Sequence, residues 1–209
     1  KPDDDVAVCA YADDITLVWR NADSASVAMT ELQAALDHVG LELARPKCVL
    51  VGGAGVAHDE VSAAAEKLAV VTKPAAVFVG VPIGNTSDAR ALLIAQVKEK
   101  AKLLQGAWFL RRPMAEHAFL RHCGLATRLT YVLQACGDGV VNDSVLALID
   151  HEEAELMRHV FGVYKQCVTA THLDIASLPC DAGGFGWPRV CDIGLGDGAM
   201  SRQRRNVGG

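Results

Sequence analysis

The stretch Val6-Ala7-Val8-Cys9-Ala10-Tyr11-Ala12-Asp13-Asp14-Ile15-Thr16-Leu17-Val18-Trp19 holds two short β-favouring runs, 6–10 and 15–19, around four residues of a different kind. Branched and aromatic side chains fit a pleated surface, and two such runs joined by a short polar connection read as a β-hairpin. Two adjacent acids, Asp13 and Asp14, fall at its tip. Adjacent carboxylates on a tight turn present hard oxygen donors to a cation. Mg²⁺ typically takes only one or two carboxylates and completes its shell with water and substrate phosphates. The same dipeptide is also ordinary turn chemistry. Taken alone, it leaves both readings open.

Outward from the hairpin, Asn21-Ala22-Asp23-Ser24 supplies turn and N-cap chemistry. Apolar residues at 28, 32, 35, 36 and 39 follow at helical spacing, with Gly40 expected as the C-cap. Leu41-Glu42-Leu43 reads as a brief extended piece, and Pro46 breaks the chain. Cys48–Val51 reads as a strand closed by Gly52-Gly53-Ala54-Gly55, and 59–69 as a short Ala-rich helix. Val77-Phe78-Val79-Gly80-Val81-Pro82-Ile83-Gly84 is a second hairpin candidate, with Pro82 confined to an edge or bend. From Ser87, the expected N-cap, the pattern turns helical: 88–109, 114–122, 126–136 and 142–161. Arg112-Pro113, Gly124 and Gly137-Asp138-Gly139 punctuate these helices. After 165 the chain loosens into Leu178-Pro179 and Gly183-Gly184-Phe185-Gly186. No internal repeat, heptad array or low-complexity tract is present. The expected class is α+β: a strand-bearing front over 1–85, a helical region over 86–165 and a Gly-rich tail over 166–209.

Composition narrows the function classes. Of 209 residues, 51% are hydrophobic and 22% charged, with mean hydropathy +0.20, which describes a globular chain and not a disordered one. No apolar run reaches the roughly 20 residues of a membrane span, and Lys1-Pro2-Asp3-Asp4-Asp5 does not read as a secretory signal. Seven scattered cysteines without a Cys-x-x-Cys pair argue against a disulfide scaffold or a cysteine zinc site. The expectation is an intracellular, reducing compartment, with nucleus, cytoplasm and mitochondrion undistinguished.

Charge is unevenly spread. Residues 1–72 hold 5 basic against 12 acidic side chains, whereas 88–130 hold 8 basic against 3 acidic. Within that basic stretch Lys98 and Lys102, four apart, share one helix face, and Lys100 is rotated away. Arg90, Arg111 and Arg112 fall near the two ends of the same helix. Such a face can track a phosphate backbone or be ordinary solvated surface. Other constellations are weaker. Gly52–Gly55 lacks the spacing of a phosphate loop. Glu116-His117 with His122-Cys123 fits no standard metal site, and His151-Glu152-Glu153 lacks a second histidine; both read as polar helix positions. Trp108 and Phe109 read as core.

The hairpin and the segments after it resemble reverse transcriptases of the non-LTR retrotransposon type. In that family Tyr-Ala-Asp-Asp sits between two strands of the palm, as Tyr11-Ala12-Asp13-Asp14 does here. The helix at 24–39 leading into Gly40-Leu41-Glu42-Leu43-Ala44-Arg45-Pro46-Lys47 is similar to the next palm segment, which ends in a functional lysine. Phe78-Val79-Gly80-Val81-Pro82-Ile83-Gly84 is similar to the primer-grip hairpin, 88–160 to the helical thumb, and Leu178-Pro179 with Gly183–Gly186 to the tail of those reading frames. The resemblance implies a partial polymerase palm followed by a helical thumb. It implies Asp13 and Asp14 as Mg²⁺ ligands of an RNA-directed DNA polymerase, and Lys47 beside the leaving pyrophosphate. Two departures stand against that. Ala44 replaces the usual Asn, and only 12 residues precede Asp13, so the earlier palm aspartate and the fingers are expected to be missing. With the metal site incomplete, the expected role is a non-catalytic RNA-binding or structural component of a ribonucleoprotein particle. Structured RNA would be contacted through Lys98, Lys102, Arg111 and Arg112, with other proteins as partners. The alternative is the C-terminal half of an active polymerase whose remaining parts lie outside this chain. A third reading is a purely structural protein whose nucleic-acid face is buried against protein.

Overall fold

The computed structural model describes residues 6–11, 14–53, 56–106, 112–137, 139–160, 169–187 and 189–190. The chain divides into two compact units, Lys1–Ala76 and Val77–Gly209. Its class is mixed α+β, with strands in short pairs and helices dominating the second unit.

In the first unit β1 (Val6–Tyr11) pairs antiparallel with β2 (Asp14–Trp19), from Val6 opposite Trp19 to Tyr11 opposite Asp14. Cross-strand partners share a face, so Val6, Val8, Ala10, Ile15, Leu17 and Trp19 lie on one side. From that side Leu17 and Trp19 pack against Ala25, Met29 and Leu68. On the opposite side Val18 stays 60% exposed. Helix α1 (Ala22–His38) starts where the Asn21 side chain accepts from the Ser24 N–H at 2.8 Å. It ends in a Schellman motif: the Leu41 N–H donates to Leu36 and the Gly40 N–H to Asp37, with Gly40 at φ +76°. The expected glycine thus does its work one position beyond the cap, Val39.

A short 3-10 turn, Arg45–Lys47, leads into β3 (Val49–Val51), α2 (His58–Leu68) and β4 (Val71–Lys73). Strands β3 and β4 pair in parallel, making a small βαβ unit. Strand β4 was not expected. It is three residues long with Val71 and Lys73 exposed, so no alternation announces it. Arg45 Nη1 donates to the Leu68 carbonyl at 2.9 Å and so satisfies the C-terminal end of α2.

Strand β5 (Ala75–Phe78) spans the division between the units and forms a hairpin with β6 (Val81–Gly84) through Val79-Gly80. Both turn residues have positive φ, 47° and 83°, the pattern of a type I′ turn. A β-branched residue there is strained. Pro82 lies buried in β6, which among the described residues pairs with β5 alone, an edge position that suits a residue without an N–H.

Helix α3 (Thr86–Gln105) is capped by Asn85, whose side chain accepts from the Ser87 N–H at 2.9 Å; Ser87, the expected cap, lies inside the helix. Ala89, Leu93, Val97, Ala101 and Leu104 form its buried stripe at three- and four-residue spacing. The helix is described to Gln105; its expected continuation to 109, with Trp108 and Phe109, lies outside the described residues. Helices α4 (Pro113–Cys123), α5 (Leu125–Ala135) and α6 (Asp143–Val160) begin and end within a residue or two of expectation. Helix α3 packs on β6, α5 and α6, and α4 packs on α5 and α6.

The described part of the tail, 169–187, holds more regular structure than its composition implied. Helix α7 (Ala170–Ser177) opens with a capping box between Thr169 and His172. The chain then folds back, with the Phe185 and Trp187 N–H groups both donating to the Ala176 carbonyl, which leaves Trp187 2% exposed. Gly184 is required there, because a Cβ would meet the Leu178 carbonyl oxygen at 2.0 Å.

Candidate nucleic-acid interface

The hairpin register places Asp14 at the head of β2, directly opposite Tyr11, with Ala12 and Asp13 as the connection. Asp13 lies outside the described residues, so the geometry of the carboxylate pair does too. Lys47 is exposed at the end of the 3-10 turn that Arg45 anchors to α2. Asp13 and Asp14 are the hard oxygen donors that suit Mg²⁺. Among the described residues no group of three or more His, Cys, Asp or Glu side chains gathers as a metal site. Nor is any helix among them long and apolar enough to cross a membrane.

The structure sorts the basic residues of the second unit into two kinds. Lys98 and Lys102 are both exposed, one turn apart on the solvent side of α3, and neither is engaged by another described residue. Arg112 is exposed at the N-cap of α4, ahead of Pro113. Arg111 lies outside the described residues. Other cations are held by the fold. Arg90 donates through Nε to the Val140 carbonyl at 3.3 Å and through Nη2 to Gly139, clipping α3 to the loop before α6. Arg121 donates to Cys180 Sγ at 3.5 Å, and its guanidinium lies so close under Gly186 that a Cβ there would sit 2.9 Å from Nη2. Arg128 Nε donates to the Cys123 carbonyl at 3.0 Å, capping the end of α4.

Two expectations of polar helix surface are corrected. Glu116 is 4% exposed, with His159 Nε2 3.9 Å from its carboxylate. Glu153 is 5% exposed and accepts from the Ala126 N–H at 2.8 Å. The cause is local. Helix α5 begins at Gly124, where a Cβ would lie 2.2 Å from the Leu120 carbonyl oxygen, so no capping side chain fits. A carboxylate from α6 takes the cap's place and meets the positive end of the α5 dipole. The signal was present in the sequence. Val145, Ile149, Glu153, Met157 and Val160 fall on one helical stripe, and Glu153 interrupts an otherwise apolar run.

His117 is also structural. Its ring centroid lies 5.7 Å from Phe185, edge-on, and 5.9 Å from Trp187. Burial pushes the imidazole pKa below its ordinary value, the Arg121 charge adds to that, and a backbone hydrogen bond with Phe185 opposes both. Beside the small cavity lined by Glu153, Met157, Trp187 and Arg189, burial raises the Asp150 pKa while Arg189 pulls it down.

Among the described residues of the second unit, Lys98, Lys102 and Arg112 are exposed cations that no other described residue engages. Searches of protein-family models, curated proteins and solved structures find no match to this chain.

Proposed function

We propose that the chain is the palm-and-thumb portion of a reverse-transcriptase-type protein and acts as a non-catalytic RNA-binding or structural component of a ribonucleoprotein particle. The observation that carries the RNA reading is the α3 face. Lys98 and Lys102 project from a helix whose other side is buried core, while Arg90 and Arg121 are each engaged by acceptors of the fold. Cations one turn apart on a rigid helix can follow a phosphate backbone. The hairpin supports the family reading, since Tyr11 and Asp14 pair across a two-residue connection and α1 then packs beneath the strands.

The test is RNA binding by the purified chain across a salt series. Each neutralised phosphate adds roughly 0.7–0.9 to the slope of log affinity against log salt. Replacing Lys98 and Lys102 together by alanine should flatten the slope by about 1.5, similarly for unrelated RNA sequences. An unchanged slope would make the face ordinary solvated surface. The hairpin register also favours the second reading, nucleotidyl transfer by a longer or assembled polymerase, in which Asp13 and Asp14 hold Mg²⁺ and the ion supplies charge stabilisation at the transferred phosphate. Offered primer and template in the same buffers, the chain should give no extension. Extension that Asp13→Asn abolishes would move the conclusion to the enzyme.

A further inference from the structure

From Lys100 to Gly137 the sequence contains one carboxylate, Glu116, against six lysines and arginines, and Glu116 is buried. Helices α4 and α5 therefore show solvent no acidic side chain. The exposed side of α5 is also chemically distinctive. Leu125, Ala126, Leu129, Val132 and Leu133 face the core, while Thr127, Arg128 and Tyr131 face outward. Tyr131 is 56% exposed on a helix interior, where a large aromatic ring contributes little to the fold it stands on. Arg128 lies one turn before it. The Nε bond to the Cys123 carbonyl uses one of five guanidinium N–H donors and holds the charge in place.

We infer that the Arg128–Tyr131 face of α5 is a stacking platform for single-stranded RNA. This rests on the RNA-binding reading above and adds a second kind of contact to it. The Lys98–Lys102 face offers point charges alone and suits a backbone of either strandedness. An exposed aromatic ring beside a fixed cation offers a π-face to an unstacked base and a donor to the adjoining phosphate. Duplex bases are already stacked and present no such face. Charge complementarity favours a polyanion, because the exposed side of α5 carries Arg128 and no carboxylate. Stacking reads no base edge, so the contact is tolerant of sequence.

The experiment measures fluorescence anisotropy of the full chain with a short oligouridylate and with an RNA duplex of matched length. Tyr131→Ala, on an exposed helix position, should weaken oligouridylate binding about tenfold and leave the duplex within about twofold. Tyr131→Phe, which keeps the ring, should bind as the parent does. If Tyr131→Ala leaves oligouridylate affinity intact while the Lys98 and Lys102 double variant loses duplex affinity, the platform is refuted and the proposed function stands. Equal losses on both ligands would make α5 part of a duplex-binding surface and overturn the selectivity. Parent protein binding neither ligand would overturn both readings together. Self-association abolished by Tyr131→Ala, with RNA binding unchanged, would make the face a protein interface instead.

Discussion

The two units bury their apolar residues in different ways. Leu93, Leu104, Leu120, Leu125, Leu129, Ile149 and Leu156, each below 2% exposure, all belong to the second unit. In the first, Ala25, Met29, Leu50, Ala64, Ala65 and Leu68 form two small clusters, half of them alanines. Meanwhile Val8, Val18, Val27 and Val39 stay 59–65% exposed there. Stabilisation follows apolar area removed from water, at about 25 cal/mol per Å². An alanine-lined core removes little of it. The helical unit therefore carries its own stability, and the hairpin unit keeps much of its apolar surface in solvent.

The most direct way to break this contrast is one leucine from each core. Leu129→Ala should cost about 3–4 kcal/mol, because the surrounding leucines cannot close over the cavity. Leu68→Ala should cost about 2 kcal/mol, since its neighbours are small and stand near solvent, where the site can collapse. Native-state hydrogen exchange resolves the two. Amides of α1 and α2 should already exchange faster than those of α3 and α5 in the parent, and each substitution should lower protection in its own unit. Equal loss of protection in both units on either substitution would show one cooperative body.

A second substitution sharpens the account of how the helical unit is held. Glu153→Ala removes the acceptor for the Ala126 N–H and leaves a void in the core, for an expected loss of about 2–3 kcal/mol in urea unfolding. Glu153→Gln keeps an acceptor and drops the charge at the α5 terminus, so about 1 kcal/mol is expected. If the two cost the same, the cap is electrostatic and the hydrogen bond adds little.

Much of this was legible in the sequence, for identifiable reasons. The first hairpin was readable because two β-favouring runs flank a polar tip. Helices α3 to α6 were readable because their apolar stripes keep the helical period and Pro113, Gly124 and Gly137 punctuate them. What escaped depends on distant partners. Strand β4 exists because β3 lies beside it, not through any pattern of its own. Asn85 and Ser87 are both good caps, and the backbone turn out of β6 decides between them. Glu153 could be read as buried from the apolar stripe it interrupts, but its partner, Ala126, lies 27 residues away and leaves no mark there. At the candidate site the useful cations were visible as a group. Which of them the fold consumes was not, because carbonyl acceptors such as Val140 and Gly139 leave no mark in a sequence.

The smallest expected effect is a pH dependence confined to the second unit. In the folded chain His117 lies against Phe185 and Trp187 with Arg121 nearby, and its pKa is lowered from 6.5. Unfolded, the same imidazole titrates near the ordinary value of about 6.5. As pH falls through that value the unfolded chain takes up a proton that the folded chain refuses, so the unfolded state binds more protons and stability drops. The loss continues until the lower, folded pKa is reached and then levels off. Above about pH 7 the group contributes no slope. His117→Gln keeps a polar group of similar length but cannot titrate. It should flatten the fall in unfolding midpoint as pH drops below about 6.5, and leave the midpoint at pH 8 little changed apart from lost ring packing. The tail gives a local readout, since Trp187 fluorescence reports its burial in the parent and should change across the same interval. A Gln variant with the parent's full acid slope would assign that slope to groups other than His117. Asp150 can be recognised by its opposite sign. Its folded pKa is raised, so the stability it contributes is complete below the unfolded value of 3.8 and is lost as pH rises through the folded one.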